Sequence, residues 1–510
     1  MQKVLFRARD RFDRDQRGNI AILFAFAVIP LIGLLGGAVD VTRHARHKTA
    51  LLNAMDAAAI ALVRSGIEEE EAADRFVNDY IAAMIPADNR DPMLEMGSFD
   101  AVKIDGGYRV ISGASMHTAF LPVVGIDAMS LDLQSEVLME GGNFEVALAL
   151  DNTGSMRNYG RIQALRDAAG QLVDDLYSEQ GAGDRVKMAL VPFVTAVNIN
   201  SPGAIDVDTW IEPIDDTGVN YSETVDKLAL FDRMGVPWRG CVEARRGGHD
   251  EDDTPPTSKE TRWLPYLWPD EPDDRGFNNS YLEEEGSRRS SDWELLRDVR
   301  KYEVDAGTRV TDRTNFGPNA ACARAIVPLT SDTQLMQDEI ELMKPHNETG
   351  GNNSGTNVAQ GLVWAWRVLS PEAPYDQGAP YDDGKTQKVL VLLSDGRNQI
   401  VANNDVTESD YTSYGYLAEG RLGSNDNYLV AEREVDAKVG RICEKIKAKG
   451  IRLYTILFQV DFARTQDLFR ACASNGEDGQ PLFYYVPDAS QLETAFKAIG
   501  EDLTSLRIAR

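Results

Sequence analysis

The first part of the chain shows three successive apolar patterns, and each predicts a different element. Residues 19–39, NIAILFAFAVIPLIGLLGGAV, contain no charge, and a helix needs about 20 such residues to cross a bilayer. Gly33 and Gly37 form a GxxxG pair within it, a spacing that permits close helix approach. Residues 40–92 are more polar, with an apolar stripe through Leu51, Leu52, Met55, Ala59 and Leu62. That is the spacing of an amphipathic helix continuing out of the span. The acidic run Glu68–Glu71 reads as a solvated face, as do His44 and His47, three apart with no further ligand. From 93 to 140, stretches such as YRVISGAS and MSLDLQSEVLM alternate with period two and predict a small β-rich segment.

A different regime begins at residue 143. The runs NFEVALAL (143–150), DRVKMALVPFVTAV (184–197), QKVLVLLSDG (387–396) and IRLYTILFQV read as buried strands. RIQALRDAAGQLVDDLY (161–177), VAEREVDAKVGRICEKIKAKG and SQLETAFKAIGEDLTSL have helical periodicity. This alternation predicts an α/β fold over 143–510, with a doubly wound, mostly parallel, Rossmann-like sheet. A long insertion interrupts it at about residues 198–325. Its stretches GGHDEDDTPPTSKE and EPDDRGFNNSYLEEEGSRRSSD are acidic and rich in turn formers, which alone predicts disorder. Yet five of the seven tryptophans, Trp210, Trp238, Trp263, Trp268 and Trp293, fall inside it. Parts of it are therefore expected to pack, and a partner-binding surface is its expected role.

Charge and motifs then remove function classes. With 53 Lys and Arg against 81 Asp and Glu, the formal net charge is −28, the wrong sign for holding nucleic acid. GAPYDDGKT (378–386) imitates a phosphate loop, but it has one residue too many between its glycines and precedes a strand. No nucleotide site is expected there. The five histidines are scattered, and neither an HExxH nor a nucleophile-elbow motif occurs, so the chain is not expected to be an enzyme.

The basic residues Lys3, Arg7, Arg9, Arg11, Arg14 and Arg17 precede the span, partly offset by three aspartates. They place residues 1–18 in the cytoplasm and the bulk of the chain outside it. The apolar run is long for a signal peptide and GGAVD is a poor cleavage site, which favours an uncleaved single-pass anchor. Cys241, Cys322, Cys443 and Cys472 form no CxxC pair. Outside the cytoplasm four cysteines predict two disulfides, with three pairings open; Cys241 and Cys322 are placed to staple the insertion.

The strand NFEVALAL ends in Asp151, Thr153 and Ser155, spaced two apart, and QKVLVLLSDG ends at Asp395. Thr356 lies in a glycine-rich loop before a helix. Open α/β sheets gather ligands at the carboxyl ends of their strands. Two carboxylates and three hydroxyls form a hard, all-oxygen set suited to Mg²⁺, with Mn²⁺ or Ca²⁺ as alternatives. Helix capping explains Asp151 or Ser155 singly, but not five oxygen residues at three strand ends.

Two resemblances bear on these readings. The segment QRGNIAILFAFAVIPLIGLLGGAVDVTRHARHKTALLNAMDAAAIAL resembles the N-terminus of TadE/TadG-like proteins of Tad (Flp-type) pilus-assembly systems. Cleaved relatives carry a Glu five residues after the processed Gly. Gly18 is followed by no such Glu, which points to the larger, uncleaved TadG-like type. The pattern Asp151, Thr153, Ser155, then Thr356, then Asp395 resembles the metal-ion-dependent adhesion site of von Willebrand factor A domains. The C-terminal stretches GLVWAWRVLSP and CASNG…LFYYVPDASQLETAFKAI resemble TadG-like proteins again, and that resemblance implies that Cys443 pairs with Cys472. Together they imply a bacterial inner-membrane assembly factor with its bulk in the periplasm. Its metal would bind an acidic side chain of a protein partner, a pilus or secretion component. A surface adhesin or sensor unrelated to pili is the alternative.

Overall fold

The computed structural model describes residues 17–508, apart from 66, 68, 87–90, 105–106, 139–142, 179–184, 202–208, 219–220, 272–278, 283–295, 304–309, 347–354, 403–406 and 477. Most side chains of residues 17–34, and those of 64 and 505–508, also lie outside the description. The chain divides into two units, residues 1–141 and 142–509.

In the first unit α1 (Arg17–Ser65) and α2 (Glu70–Met84) accompany β1 (Leu94–Ile104), β2 (Gly107–His117) and β3 (Ala128–Leu138). The strands form one antiparallel sheet in chain order. Leu51, Met55, Ala59 and Leu62 of the predicted stripe are buried against Val77 and Ile81 of α2 and Phe99, Val110 and Leu133 of the sheet. Helix and β-rich segment thus share one core, because each has a single apolar face that needs the other as cover. The histidines are not simply solvated, as their sequence context had predicted. His44 Nε2 lies 3.0 Å from the Ser130 carbonyl, and His47 Nε2 3.1 Å from Asp91, which also pairs with Arg43 at 2.6 Å. The expected span, 19–39, lies within α1, but most of its side chains and the basic tail before residue 17 are outside the described residues. Among the described residues no helix is long and apolar enough to cross a membrane.

The second unit is built on six strands. In chain order its main elements are β4 (Asn143–Asp151), α3 (Arg161–Ser178) and β5 (Val186–Phe193), then the short insertion pieces β6 (Val197–Asn198), β7 (Ile214–Asp215), β8 (Val225–Asp226), α4 (Lys227–Arg233) and β9 (Cys241–Val242). There follow β10 (Val327–Thr330), α5 (Thr333–Glu341), α6 (Val358–Leu369), β11 (Thr386–Ser394), α7 (Tyr428–Ala448), β12 (Arg452–Phe458), α8 (Ala463–Cys472), β13 (Phe483–Val486) and α9 (Leu492–Ile508). The sheet order is β10-β5-β4-β11-β12-β13, parallel throughout except for the antiparallel edge strand β10. The predicted α/β class and parallel sheet are both present.

Alternate residues of β4 serve opposite faces, as a pleated strand buried on both sides requires. Val146, Leu148 and Leu150 join the layer that contains residues of α3, α5 and α9, while Ala147 and Ala149 join the layer containing those of α6, α7 and α8. The small alanines suit α6, whose twelve residues are all buried. Gly361 lets that helix close on Phe193, where a Cβ would stand 2.3 Å from the ring.

The described parts of the insertion are folded into this unit. Trp210, Trp263 and Trp268 are buried, and Trp238 packs against the core; Trp293 lies outside the described residues. The acidic run 250–253 is an internal strut and not the open surface its composition suggests. Asp250 pairs with Lys438 at 2.8 Å, Glu251 with Arg441 at 2.7 Å and Asp252 with Arg245 at 3.0 Å, while Asp253 accepts from Tyr381 at 2.6 Å. Two buried guanidiniums, Arg245 and Arg367, stack on Trp263, and each donates to the carbonyls of His249 and Asp252.

Cys241 pairs with Cys322 and Cys443 with Cys472. The first closes 81 residues of chain and the second 29. In the loop-entropy model these contribute roughly 4–5 and 3–4 kcal/mol. Replacing Cys241 and Cys322 by alanine is therefore expected to cost about 1 kcal/mol more than replacing the other pair. Urea unfolding of the two double variants checks the order.

Candidate metal centre

From β4 the chain moves to β5 and β10 on one side, then crosses to β11, β12 and β13 on the other. The switch point falls between β4 and β11, where an open sheet leaves a crevice at its carboxyl edge. Leu150 pairs with Leu393 across that seam, so Asp151 and Asp395 leave adjacent strands side by side.

Asp151 is fully buried, and its two oxygens accept from the Thr153 N–H at 2.8 Å and the Ser394 hydroxyl at 2.5 Å. The Thr153 and Ser155 hydroxyls lie 3.0 Å apart, and Ser155 donates to Asp395 at 2.6 Å. Thr153 opens a short 3-10 turn without capping it, and α3 starts only at Arg161. The hydroxyls therefore turn to the carboxylates and not to a helix end. Thr356 is held by a two-way backbone bridge to Gln399 before α6, and its hydroxyl lies 3.7 Å from where a Cβ on Gly396 would stand, one residue beyond Asp395. All five residues sit at this one rim.

The electrostatics leave room for a cation. Burial, with Asp395 adding repulsion, pushes Asp151 up to about 7. Burial lifts Asp395 as well, against the pull of Ser155 and Arg161. Arg161 pairs with Asp395 at 2.6 Å; no Lys or Arg pairs with Asp151 among the described residues. Two carboxylates thus face one guanidinium, and a hard divalent ion would relieve the imbalance with oxygen donors alone. Among the described residues no group of three or more His, Cys, Asp or Glu forms a competing metal cluster. Asp151, Thr153, Ser155, Thr356 and Asp395 are the residues that would hold such an ion, which would place a positive charge at the rim.

Arg161, Ser394 and Gln459 were not apparent from the sequence. Arg161 is the first residue of a helix whose periodicity says nothing about its side chain. It reaches Asp395 because Tyr159 and Gly160 both turn through positive φ, 55° and 71°. Gln459, itself at φ 58°, accepts from Arg161 Nε at 2.7 Å. Tyr159 is 83% exposed beside the guanidinium.

His346 braces the same turn through its backbone, donating to the Asn152 carbonyl at 2.7 Å. Burial pushes its imidazole down to about 4. The unfolded chain takes this proton below about 6.5, while the folded chain resists until about 4, so stability falls as pH drops through that window. The shift corresponds to roughly 3 kcal/mol. His346→Gln is expected to flatten that part of the stability profile, read by urea unfolding at pH 7 and pH 4.5.

Residues 18–63 match the family model of the TadE/G-like Flp pilus-assembly domain. No curated protein sequence matches the chain. Among solved structures, a pilus adhesin of Lactobacillus rhamnosus GG aligns with 81% of this chain at 12% identity and a TM-score of 0.33. This chain spans 35% of that adhesin's length. The vWF domain of a type V pilus tip protein from Porphyromonas gingivalis aligns over 71% of this chain and 96% of its own, at 11% identity and a TM-score of 0.33. A minor pilin of Streptococcus sanguinis aligns over 82% of this chain and 78% of its own, at 12% identity and a TM-score of 0.33. At such scores the likenesses assign neither function nor partner.

Proposed function

We propose that the chain is a membrane-anchored, non-enzymatic assembly factor of a Tad/Flp-type pilus or related secretion apparatus. It would hold a protein partner through a cation at Asp151, Thr153, Ser155, Thr356 and Asp395, in the manner of a von Willebrand factor A domain. The observation that carries the binding reading is the carboxylate pair at the switch point, ringed by hydroxyls and compensated only in part, by Arg161 on Asp395. Five ligands with only two charges leave a divalent ion electrophilic toward a further carboxylate. The exposed Tyr159 beside the site is the type of side chain that anchors interfaces. The match over residues 18–63 supports the pilus context, and the uncharged run 19–39 supports a single span with the second unit in the periplasm.

The test is a crosslinked pull-down from membranes, with and without chelator. Pilus or secretion components captured only with Mg²⁺ support the reading. Their absence under both conditions removes the assembly role and leaves an adhesin or sensor of another system.

A further inference from the structure

The turn between β2 and β3 carries the sequence FLPVVGI, residues 120–126, with no charge in it. Phe120, Val123, Val124 and Ile126 are 42%, 55%, 55% and 46% exposed. Yet the backbone beneath them is well held. The Asp40 carboxylate accepts from the N–H groups of Ala119, Phe120 and Leu121 at 3.0, 2.8 and 2.9 Å. Ile126 N–H returns to the Leu121 carbonyl at 3.1 Å, and Gly125 takes φ 83° to close the turn. A loop fixed this firmly with its apolar side chains outward has an exposed patch that calls for a partner.

Its position says which. Phe120 and Leu121 lie flush on Gly36 and Gly37 of α1, where added Cβ atoms would meet them at 2.3 and 2.9 Å. Gly37 is therefore taken up by a contact within the chain, and the GxxxG spacing is not free there for a second helix. Those glycines belong to the last turn of the uncharged run 19–39, and Asp40 is the first charge after it. Leu35 and Val39 on the same turn are also exposed. Immediately beyond follow Arg43, His44, His47, Asp91 and Asp127, a polar collar. Apolar loop, apolar helix end and polar collar succeed one another in the order of a bilayer's outer boundary.

We infer that loop 120–126 is a membrane wedge. It enters the acyl–headgroup boundary of the bilayer that α1 crosses, so that the first unit is seated on lipid by two elements and its orientation is set. This rests on the anchor reading above. Asp40 supplies the joint: one carboxylate at the exit of the span holds the loop at the depth of the helix end.

The full chain, reconstituted in phosphatidylethanolamine–phosphatidylglycerol vesicles, carries one environment-sensitive fluorophore at a time on Val123→Cys, Gln134→Cys or Ile29→Cys. The native cysteines are all in disulfides and do not compete for label. Gln134 is exposed on β3, six residues past Ala128 and so about 20 Å along the strand. Lipid with a nitroxide near the headgroup is expected to quench position 123 and to leave 134 unquenched, and lipid with a nitroxide deep in the acyl chain is expected to quench position 29, at the middle of the run 19–39. Quenching at 29 but not at 123 overturns the wedge while the anchor stands. No quenching at 29 overturns the anchor and the wedge with it. Quenching at 123 that survives in Asp40→Ala overturns the joint assigned to Asp40. A shielded position 123 that lipid nitroxides do not reach, and that crosslinks to a second copy, assigns the patch to self-association.

Discussion

Mg²⁺ binding is expected to fall more than about 100-fold in Asp151→Ala and about tenfold in Thr356→Ala, since even outer-shell partners of a metal typically contribute 10–100-fold. Asp151 carries the larger effect because it is the carboxylate without a cationic partner, and a divalent ion is its best source of compensation. Arg161→Met should act in the opposite direction. A unit charge a few ångströms from a bound cation opposes it by a few kcal/mol at an effective dielectric near 20. Part of that is offset because Arg161 also orients Asp395. About tenfold tighter binding is the expected net result. The pH dependence has a definite sign. Protons compete for Asp151 below about 7, so affinity should drop as pH falls through that value and level off above it. Isothermal titration of the three variants measures each effect. Unchanged binding in both Asp151→Ala and Thr356→Ala would sink the metal reading. Weaker binding in Arg161→Met would make that arginine a positioning group and not a competitor.

A large effect on stability is also expected at Lys227, in the insertion. Its ammonium is fully buried, contacting Glu243 directly and Asp215 at 3.3 Å. Tyr411 donates to the same Glu243, and Arg421 stands 3.9 Å from its other oxygen. Burial works against the charged amine, but Glu243 and Asp215 outweigh it and push Lys227 up. Lys227→Met would leave two buried carboxylates short of a cation, which typically costs 3–5 kcal/mol. Adding Asp215→Asn and Glu243→Gln removes those charges, and the triple variant should recover most of the loss. Urea unfolding at pH 7 reads both. Equal stability of Lys227→Met and the parent would mean that this part of the insertion contributes nothing to the fold's cohesion.

Much of this architecture was legible because it follows from local periodicity. The uninterrupted apolar runs of β4 and β11 could only be strands buried on both faces, and the stripe through Leu51, Met55, Ala59 and Leu62 could only seek an apolar partner. The oxygen residues at the strand ends were readable for the same reason, since a strand's terminus sets where its next side chains emerge. The insertion was not. GGHDEDDT has the composition of a solvated loop, and what keeps it in place are Lys438 and Arg441 on α7, almost 190 residues away.

The sequence by itself determined which segments are strands, helices and anchor candidates, and which side chains could present oxygen to a cation, because those properties depend on residues within a few positions of one another. Tertiary structure alone decided the pairing of β4 with β11, the reach of Arg161 to Asp395, and the seat of the 120–126 loop on Gly36 and Gly37. Each of these joins groups dozens to hundreds of residues apart, where complementary shape and charge, and no local pattern, select the contact.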